Sequence, residues 1–368
     1  MIKKLLQGQA VEWQALGEVA NLNRGRVMSK TYLADNIGEY PVYSSQTANN
    51  GEIGKINTFD FEGEFITWTT DGANAGTVFY RNEKFSITNV CGLITLKYDY
   101  LTYKFLFYWL SIQAKKHVYS GMGNPKLMSN QMEKIQIPIP PLSVQSQIVQ
   151  ILDTFTELND QLTAELSMRQ KQYQYYRDFL LSEHELAKVG FEWKTLGKLG
   201  IINRGKRVVK SQLTTEGVYP VYQNSLQPLG YFDKSNVKAN TTFMITAGAA
   251  GEIGYSNCAF WSADDCYYFD CPKDVLDDRF LYHSLKKQQN KIFSQVRKAS
   301  IPRLGRNSVE NIKIPIPPLS VQSQIVAILD TFDTLTQSIS EGLPKEIKLR
   351  QKQYEYYREQ LLNFKATI

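Results

Sequence analysis

At 368 residues the chain is longer than one typical domain, so two cores are expected. Its 42 lysines and arginines against 36 aspartates and glutamates leave a net charge of +6. That mild basic bias is compatible with a polyanionic partner and equally with an ordinary surface. No run of about 18 apolar residues occurs, and the opening MIKKLLQGQAVEW lacks an apolar h-region, so neither a membrane span nor a signal peptide is expected. Four cysteines at 91, 258, 266 and 271 form no CxxC pairs and read as ordinary thiols of a reduced, cytoplasmic chain. A zinc site from Cys258, Cys266, Cys271 and His283 would match no common finger spacing.

Taken in order, the chain repeats itself. Glu12-Trp13, Leu16-Gly17 and Asn23-Arg24-Gly25 return as Glu192-Trp193, Leu196-Gly197 and Asn203-Arg204-Gly205, and Tyr40-Pro41-Val42-Tyr43 returns as Tyr219-Pro220-Val221-Tyr222. Between these anchors and residue 142 the first half reads as strand-rich. Phe65 to Thr69 and Gly92 to Leu96 carry β-branched and aromatic residues, and Asn49-Asn50-Gly51, Asp71-Gly72 and Ala75-Gly76 supply turns. Tyr100 to His117 reads as an amphipathic helix whose aromatic residues face a core. The loop Ser120 to Leu127 follows, and then a strand-like alternation over Ile135 to Ile139.

Residues 137–149, IPIPPLSVQSQIV, recur unchanged at 314–326; the match continues through Ile151–Phe155 against Ile328–Phe332 and resumes at Arg169–Tyr173 against Arg350–Tyr354. Pro138, Pro140 and Pro141 hold an extended lead-in, with Ser143 and its twin Ser320 as helix N-caps. Val144, Ile148, Ile151, Phe155, Leu158 and Leu162 step 4-3-4-3-4, as do Val321, Ile325, Ile328, Phe332, Leu335 and Ile339. Each series is an a/d seam that asks for a helical partner, and the other copy supplies one. Gly342 and Pro344 bend or loosen the second helix. The second half has its own strand at Thr241–Ile245, a small-residue loop at Thr246–Gly251 and a helix over Phe280–Val296. Its loop Lys298–Leu304 sets Pro302 and Arg303 in the places of Pro125 and Lys126. A repeat this long is a tandem duplication rather than a solenoid. Its frame is nearly identical in both copies while its heads have diverged.

The motif IPIPPLSVQSQIVxILDTF leading to RQKQYxYYR, present twice, resembles the specificity (S) subunit of type I restriction-modification enzymes, and the resemblance covers essentially the whole chain. Thr163-Ala164-Glu165-Leu166 is similar to the subfamily with TAEL-type tetrapeptide repeats in the central helix, although only one clean unit is present. The resemblance implies an α+β chain in which two strand-rich mixed α/β target-recognition domains, 1–142 and 186–319, are separated by two long helices, 143–185 and 320–368. These helices would pack as an antiparallel coiled coil with internal pseudo-twofold symmetry. It implies a non-catalytic subunit that reads a bipartite, asymmetric site on double-stranded DNA. The helices would set the spacer and dock two modification (M) subunits, which bring S-adenosylmethionine and adenine methylation. Restriction (R) subunits, with ATP and Mg, would add cleavage. No cofactor would bind this chain itself.

The residues agree with a chain that carries no chemistry. Leu196-Gly197-Lys198-Leu199 lacks the hydroxyl and upstream glycine of a P-loop, and Asn124-Pro125-Lys126 breaks an Asn-Pro-Pro-aromatic motif at its third position. His117, His184 and His283 read as residues at helix ends or on exposed faces, and Asp264-Asp265 and Asp277-Asp278 as solvated turns. A DNA reader needs cations for phosphates, and amides, hydroxyls or guanidinium groups for base edges. In the first head the candidates are Asn23, Arg24, Arg26, Ser44, Ser45, Gln46, Thr69, Thr70, Asn124 and Lys126. In the second they are Arg204, Lys206, Arg207, Gln223, Asn224, Ser225, Thr246, Ser300, Arg303 and Arg306. They fall at matching places on predicted loops. Two rival readings use the same residues: a coiled-coil scaffold or interaction protein without sequence readout, and a strand-rich enzyme with an unfamiliar site.

Overall fold

A computed structural model describes residues 1–120, 123–337 and 341–364. The helices that carry the frame are α1 (Tyr103–Gln113), α2 (Leu142–Leu180), α3 (Asp278–Lys287), α4 (Leu319–Gln337) and α5 (Gly342–Leu361). The chain divides into two compact units: Met1–Gln161 with the stretch from Lys348, and Leu162–Ile347. Each unit therefore holds one head and parts of two frame helices. No helix is long and apolar enough to cross a membrane among the described residues.

The first head contains β1 (Glu12–Ala15), β2 (Ala20–Arg24), β3 (Ile37–Tyr43), β4 (Glu52–Ile56), β5 (Phe61–Thr69), β6 (Val78–Ile87), β7 (Cys91–Leu96) and β8 (Gln136–Ile139). Six strands form one sheet in the order β2-β7-β5-β6-β3-β4, and β1 pairs with β8 apart from it. The second head contains β9 (Glu192–Thr195), β10 (Ile202–Arg204), β11 (Tyr219–Tyr222), β12 (Gly230–Phe232), β13 (Thr241–Ile245), β14 (Ile253–Ser256), β15 (Trp261–Ser262), β16 (Cys266–Phe269) and β17 (Lys313–Ile316). Its topology is the same, but the sheet falls into two pieces, β10-β16-β13-β14 and β12-β11-β15. The cause is local. In the first head the long β6 pairs antiparallel with β5 and, at its far end, parallel with β3. In the second, residues 257–260 interrupt the corresponding strand, so β14 pairs with β13 and β15 pairs parallel with β11.

The duplicated motifs meet in space. Trp13 stands opposite Pro138 where β1 pairs with β8, and Trp193 opposite Pro315 where β9 pairs with β17. Proline is tolerated because each pair is a two-stranded ribbon with free edges. Leu16 N donates to Ile135 O at 2.9 Å and Leu196 N to Ile312 O at 3.0 Å, which closes the ribbons. Each head is thus clasped between its first and last strand.

The helix that follows begins one residue before its expected cap. Leu142 and Leu319 open α2 and α4, so Ser143 and Ser320 lie inside the first turn rather than at the cap. Pro141 O takes the first amides instead, from Val144 at 2.9 Å and Gln145 at 3.0 Å. Gln145 is fully buried: its Oε1 accepts from Thr102 N at 2.9 Å, and its Nε2 donates to Tyr100 O at 2.8 Å and Pro140 O at 2.9 Å. Gln322, equally buried, repeats this with Asp277 N at 2.9 Å, Val275 O at 2.9 Å and Pro317 O at 2.8 Å. One amide in each copy satisfies the start of the head helix, the segment before it and the Pro-rich lead-in.

A second tie lies two turns on. In the first unit Lys104 and the Tyr108 hydroxyl both reach Asp153, the latter at 2.6 Å. In the second, Arg279 Nε reaches Asp330 at 2.6 Å and Arg279 Nη2 reaches Asp333 at 2.6 Å. His283 belongs to this tie and corrects its expected exposure: it is fully buried on α3, with Nε2 2.7 Å from Asp330 Oδ1 and Nδ1 3.2 Å from the Tyr173 hydroxyl. Because Asp330 can only accept when ionised, Nε2 carries the proton and Nδ1 accepts from Tyr173. Both ring nitrogens are therefore engaged, and His283 does not complete a cysteine metal site; among the described residues no His, Cys, Asp or Glu group is placed to hold a metal. Asp277 and Asp278 are likewise not a solvated turn. Asp277 caps α3, accepting from Arg279 N and Phe280 N at 2.8 Å each, and Asp278 is buried and paired with Lys273.

The frame helices run antiparallel within each unit. Phe155 stacks on Tyr357 at 5.1 Å in the first unit, where Val144, Ile148 and Leu152 share a core with Leu361, Leu362 and Phe364. The same pair of motif positions recurs in the second unit, with Phe332 stacked on Tyr176 at 5.3 Å. The expected seam needs correction near the heads. Leu152 and Leu329 are fully buried, whereas Ile328 is 44% exposed, because this part of the helix buries a 144/148/152 stripe against the head before it meets the other helix. Ile339 lies outside the described residues. The second long helix is two segments: α4 ends at Gln337 and α5 begins at Gly342, whose φ is +74°. A Cβ at Gly342 would lie 2.5 Å from Thr334 O and 2.7 Å from Leu335 O, so only glycine fits there.

Two stability measurements follow from these ties. Gln322→Ala leaves a buried N–H and two carbonyls unsatisfied and is expected to cost about 1–3 kcal/mol in chemical denaturation, as is Gln145→Ala. Burial, with Arg279 adding to it, lowers the pKa of His283 below its ordinary 6.5 against the opposing pull of Asp330 and Asp333. The unfolded state then binds more protons as pH falls below 6.5, so stability present above that pH is lost on acidification. Burial raises the Asp330 carboxyl, but hydrogen bonds from His283 and Arg279 outweigh it and hold its pKa below the usual range, so its own loss comes at lower pH. Melting of the wild type should fall between about pH 7.5 and about pH 5.5, and His283→Gln should flatten that dependence.

Candidate nucleic-acid interface

The loops singled out in the sequence converge in each head, and the backbone connects them identically. In the first head Asp71 and Lys126 form a bridge, with Gly72 N donating to Pro125 O at 3.0 Å and Leu127 N to Thr70 O at 2.8 Å. In the second, Ala247 and Arg303 form the same bridge, with Gly248 N donating to Pro302 O at 3.1 Å and Leu304 N to Thr246 O at 2.8 Å. The loop carrying the cation is tied back on itself. Lys126 exchanges backbone bonds with Tyr119 at 2.8 and 3.0 Å, and Arg303 with Arg297 at 2.9 and 3.2 Å. Its own backbone thus held, the exposed side chain of Lys126 or Arg303 projects from a stiffened, proline-led turn. Gly121 and Met122 of the first loop lie outside the described residues.

The Asn-Arg-Gly cluster reaches the same place. Arg24 donates to Asn89 O at 3.3 Å and Arg204 to Asp264 O at 3.1 Å, so each guanidinium grips the turn before the last sheet strand. Glycine follows because a Cβ on Gly25 would lie 1.9 Å from Ile87 O, and on Gly205 2.0 Å from Ala263 O. Arg26 pairs with Asp60 at 3.1 Å and meets the Tyr32 hydroxyl at 3.2 Å; that hydroxyl, ahead of Asp60, raises the guanidinium pKa.

The polar candidates divide into groups that face outward and groups that build the site. Thr69 and Thr70 are fully buried and Thr246 nearly so. Thr69 donates to Asn74 O, Thr70 to Val90 O at 2.8 Å and Thr246 to Asp265 O at 3.0 Å. These hydroxyls position the loops and are not open to a duplex. Ser44 accepts from Thr88 at 2.8 Å, Ser45 donates to Val90 O and accepts from Thr70 N, and Gln46 donates to Glu52 O. Ser225 donates to Gln227 O at 2.9 Å, and Arg306 pairs with Glu310 at 2.7 Å. Asn23, Asn124 and Lys126 in the first head stand exposed, as do Lys206, Arg207, Asn224, Ser300 and Arg303 in the second; Gln223 is half-buried. Asn224 O accepts from Ala249 N at 2.9 Å, which brings the Gln223–Ser225 loop beside the Thr246 loop.

Sequence reasoning missed Arg81. It is buried at 2% exposure, donates to Asn50 O at 2.7 Å and Thr67 Oγ1 at 3.3 Å, and lies 3.4 Å from the Tyr43 ring. It anchors the loop after β3 in the first head, and an isolated arginine in a strand carries no signal of that role. The second head holds a cavity of about 470 Å³ lined by Arg204, Arg297, Arg303 and Arg306 together with Asp264 and Asp265. Those two residues, expected on a solvated turn, are half-buried in a turn that lines this cavity.

A family model described as the type I restriction modification DNA specificity domain matches residues 10–168 and again 188–349, once for each head and the helix after it. The chain is 35% identical over 356 residues to the putative type I specificity subunit S.MpnORF507P of Mycoplasma pneumoniae, covering 94% of this chain and 96% of that one. It is 35% identical over 395 residues to the putative type I restriction enzyme specificity subunit S.HindORF215P of Haemophilus influenzae, covering 99% and 98%. Among solved structures, the S subunit of a type I restriction-modification system from M. genitalium superposes with a TM-score of 0.73 over 98% of both chains at 18% identity, a likeness of fold.

If the buried hydroxyls build the site without touching a ligand, Thr70→Val and Thr246→Val should each cost about 1–2 kcal/mol of stability in denaturation. The salt dependence of DNA binding should stay unchanged in both variants.

Proposed function

The chain belongs to the type I restriction-modification DNA specificity family, and from that premise we propose that each head reads one half of a bipartite, asymmetric site on double-stranded DNA. The protein is a type I specificity subunit: it selects sequence. The observation that carries the assignment of the reading surface is the Pro-cation turn, Pro125-Lys126 and Pro302-Arg303, bridged to the same sheet end in both heads. A lysine or arginine on a stiffened turn suits a guanine edge or a phosphate, and the surrounding Arg24, Arg26, Arg204, Lys206 and Arg207 suit the backbone of a duplex. The heads differ in the groups they offer at matching positions, which supports two different half-sites.

Catalysis is assigned to partner chains. Two modification subunits would dock on the frame helices and bring S-adenosylmethionine and the adenine methyltransferase site; restriction subunits would bring ATP and Mg and cut. The stacked Phe155–Tyr357 and Phe332–Tyr176 pairs leave Tyr175, Tyr356 and Phe179 exposed on the same helices, which supports a protein-docking role for the frame. The central helix, with its single TAEL unit at 163–166, would set the spacer between half-sites. The complex would work on DNA in the cytoplasm, with no membrane partner.

The test is the methylated motif of cells carrying the chain with its modification partner. Exchanging residues 192–311 for those of a relative should change one half of that motif alone. Lys126→Ala or Arg303→Ala should weaken specific binding by about 1–3 kcal/mol with relaxation at one position if the contact is to a base. A phosphate contact would instead weaken all sequences alike and flatten the salt slope by about one unit. Retention of DNA with no dependence on sequence would leave only a coiled-coil scaffold.

A further inference from the structure

The cavity of the second head has a lining that phosphate binding does not explain. Asp264 and Asp265 form the turn between β15 and β16, and their main-chain carbonyls are held in place: Asp264 O by Arg204 at 3.1 Å, Asp265 O by Thr246 N at 2.8 Å and Thr246 Oγ1 at 3.0 Å. The two half-buried carboxylates share the cavity with four arginines, yet among the described residues neither makes an ion pair or a side-chain hydrogen bond. The guanidinium groups of Arg297 and Arg303 are equally without a side-chain partner there. Asp264, Asp265, Arg297 and Arg303 thus line one cavity with no ion pair among them.

On a surface that only gripped phosphates, two carboxylates would repel the ligand and cost affinity for every sequence. They become favourable where the ligand offers hydrogen-bond donors, and in the major groove those donors are the exocyclic amines of cytosine and adenine. Arginine in the same groove pairs with the O6 and N7 acceptors of guanine. A cavity that presents both groups matches a G·C pair. The first head is built differently at the equivalent places. Tyr119 stands for Arg297, Lys126 for Arg303 and Asn89-Val90 for Asp264-Asp265, and its nearby carboxylate, Asp71, comes from another loop.

Resting on the reading of the chain as a DNA specificity subunit, we propose that Asp264, Asp265 and Arg297 are specificity-determining residues of the second head. They read at least one G·C pair of its half-site, guanine facing Arg297 and the cytosine amine facing the carboxylates. The carboxylates also act against wrong sites, where they meet an acceptor or a phosphate.

The experiment compares the full chain, assembled with its modification subunits, as wild type, Asp264→Ala, Asp265→Ala and Arg297→Ala, by methylated motif and by binding to specific and unrelated duplexes. At least one aspartate variant is expected to lose about tenfold or more of its discrimination at one G·C position of the second half-site, with the first half-site unchanged. Its affinity for unrelated duplex should be unchanged or higher, because a negative charge has gone. Arg297→Ala should lose discrimination at the guanine. Should an alanine variant melt early, the similarly shaped Asp264→Leu and Asp265→Leu take its place, with the same loss expected because a leucine offers no acceptor to the cytosine amine. An unchanged second half-site in all variants, a half-site without a G·C pair, or aspartate variants that weaken unrelated duplex as much as the specific one would each overturn the proposal. Failure of the wild-type complex to methylate any defined sequence would overturn the reading of the chain itself along with it, and so is told apart from failure of these three residues.

Discussion

A buried glutamine amide joins head to frame in each half of this chain. Gln145 and Gln322 sit on the first turn of a long helix, yet their partners are the backbone ahead of the head helix and the Pro-rich lead-in. An apolar residue there would leave several main-chain groups unsatisfied in a dry interior, and a shorter amide would not reach them. The constraint explains why SVQSQIV is identical in both copies. The glutamine needs the carbonyl of Pro140 or Pro317. The strand just before that proline carries Pro138 or Pro315 and so needs a two-stranded ribbon with a free edge, and the ribbon needs the Glu-Trp strand at the start of the head. The aspartate ties at Asp153 and Asp330 then set the angle of the head helix against the frame, through lysine and tyrosine in one unit and arginine and histidine in the other.

Much of the fold is legible because the duplication marks which residues touch which. The long helices, their lead-ins and the strands at 65–69, 92–96 and 241–245 follow from period and β-branching. Where the reading failed, a tertiary contact overrode a local rule. Ser143 has the chemistry of a cap, but Pro141 already supplied an acceptor two residues earlier. Ile328 fits the heptad, but the helix serves the head before it serves its partner helix, and the stripe shifts to Leu329. His283 looked like a surface residue because neither Asp330 nor Tyr173 is near it in sequence. The broken sheet of the second head depends on where residues 257–260 leave the strand, which no periodicity encodes.

That the candidate loops converge was legible in the sequence; which of their side chains face outward was not. Turn chemistry and the coincidence of both copies pointed to four clusters per head, and the backbone brings them together. Which atom of each cluster faces out was hidden. Thr70 and Thr246 carry the right groups for a base edge, but the fold sets each against a main-chain carbonyl from a distant turn, Val90 O or Asp265 O, and the hydroxyl turns inward. Asp264-Asp265 looked like any polar turn, because its surroundings are four arginines drawn from separate stretches of chain.

The clasp between the first and last strand of each head has a consequence at the level of the gene. Chain enters and leaves a head at one point, so a head can be gained or lost without reshaping the frame. The identical runs at 137–149 and 314–326 lie just past that point in both copies. An unequal crossover between them would excise, in frame, the central helix and the second head, and leave a short chain whose remaining frame helix must find its antiparallel mate in another copy of itself. The repeat that stabilises the folded protein is thereby also a seam along which its coding sequence can recombine.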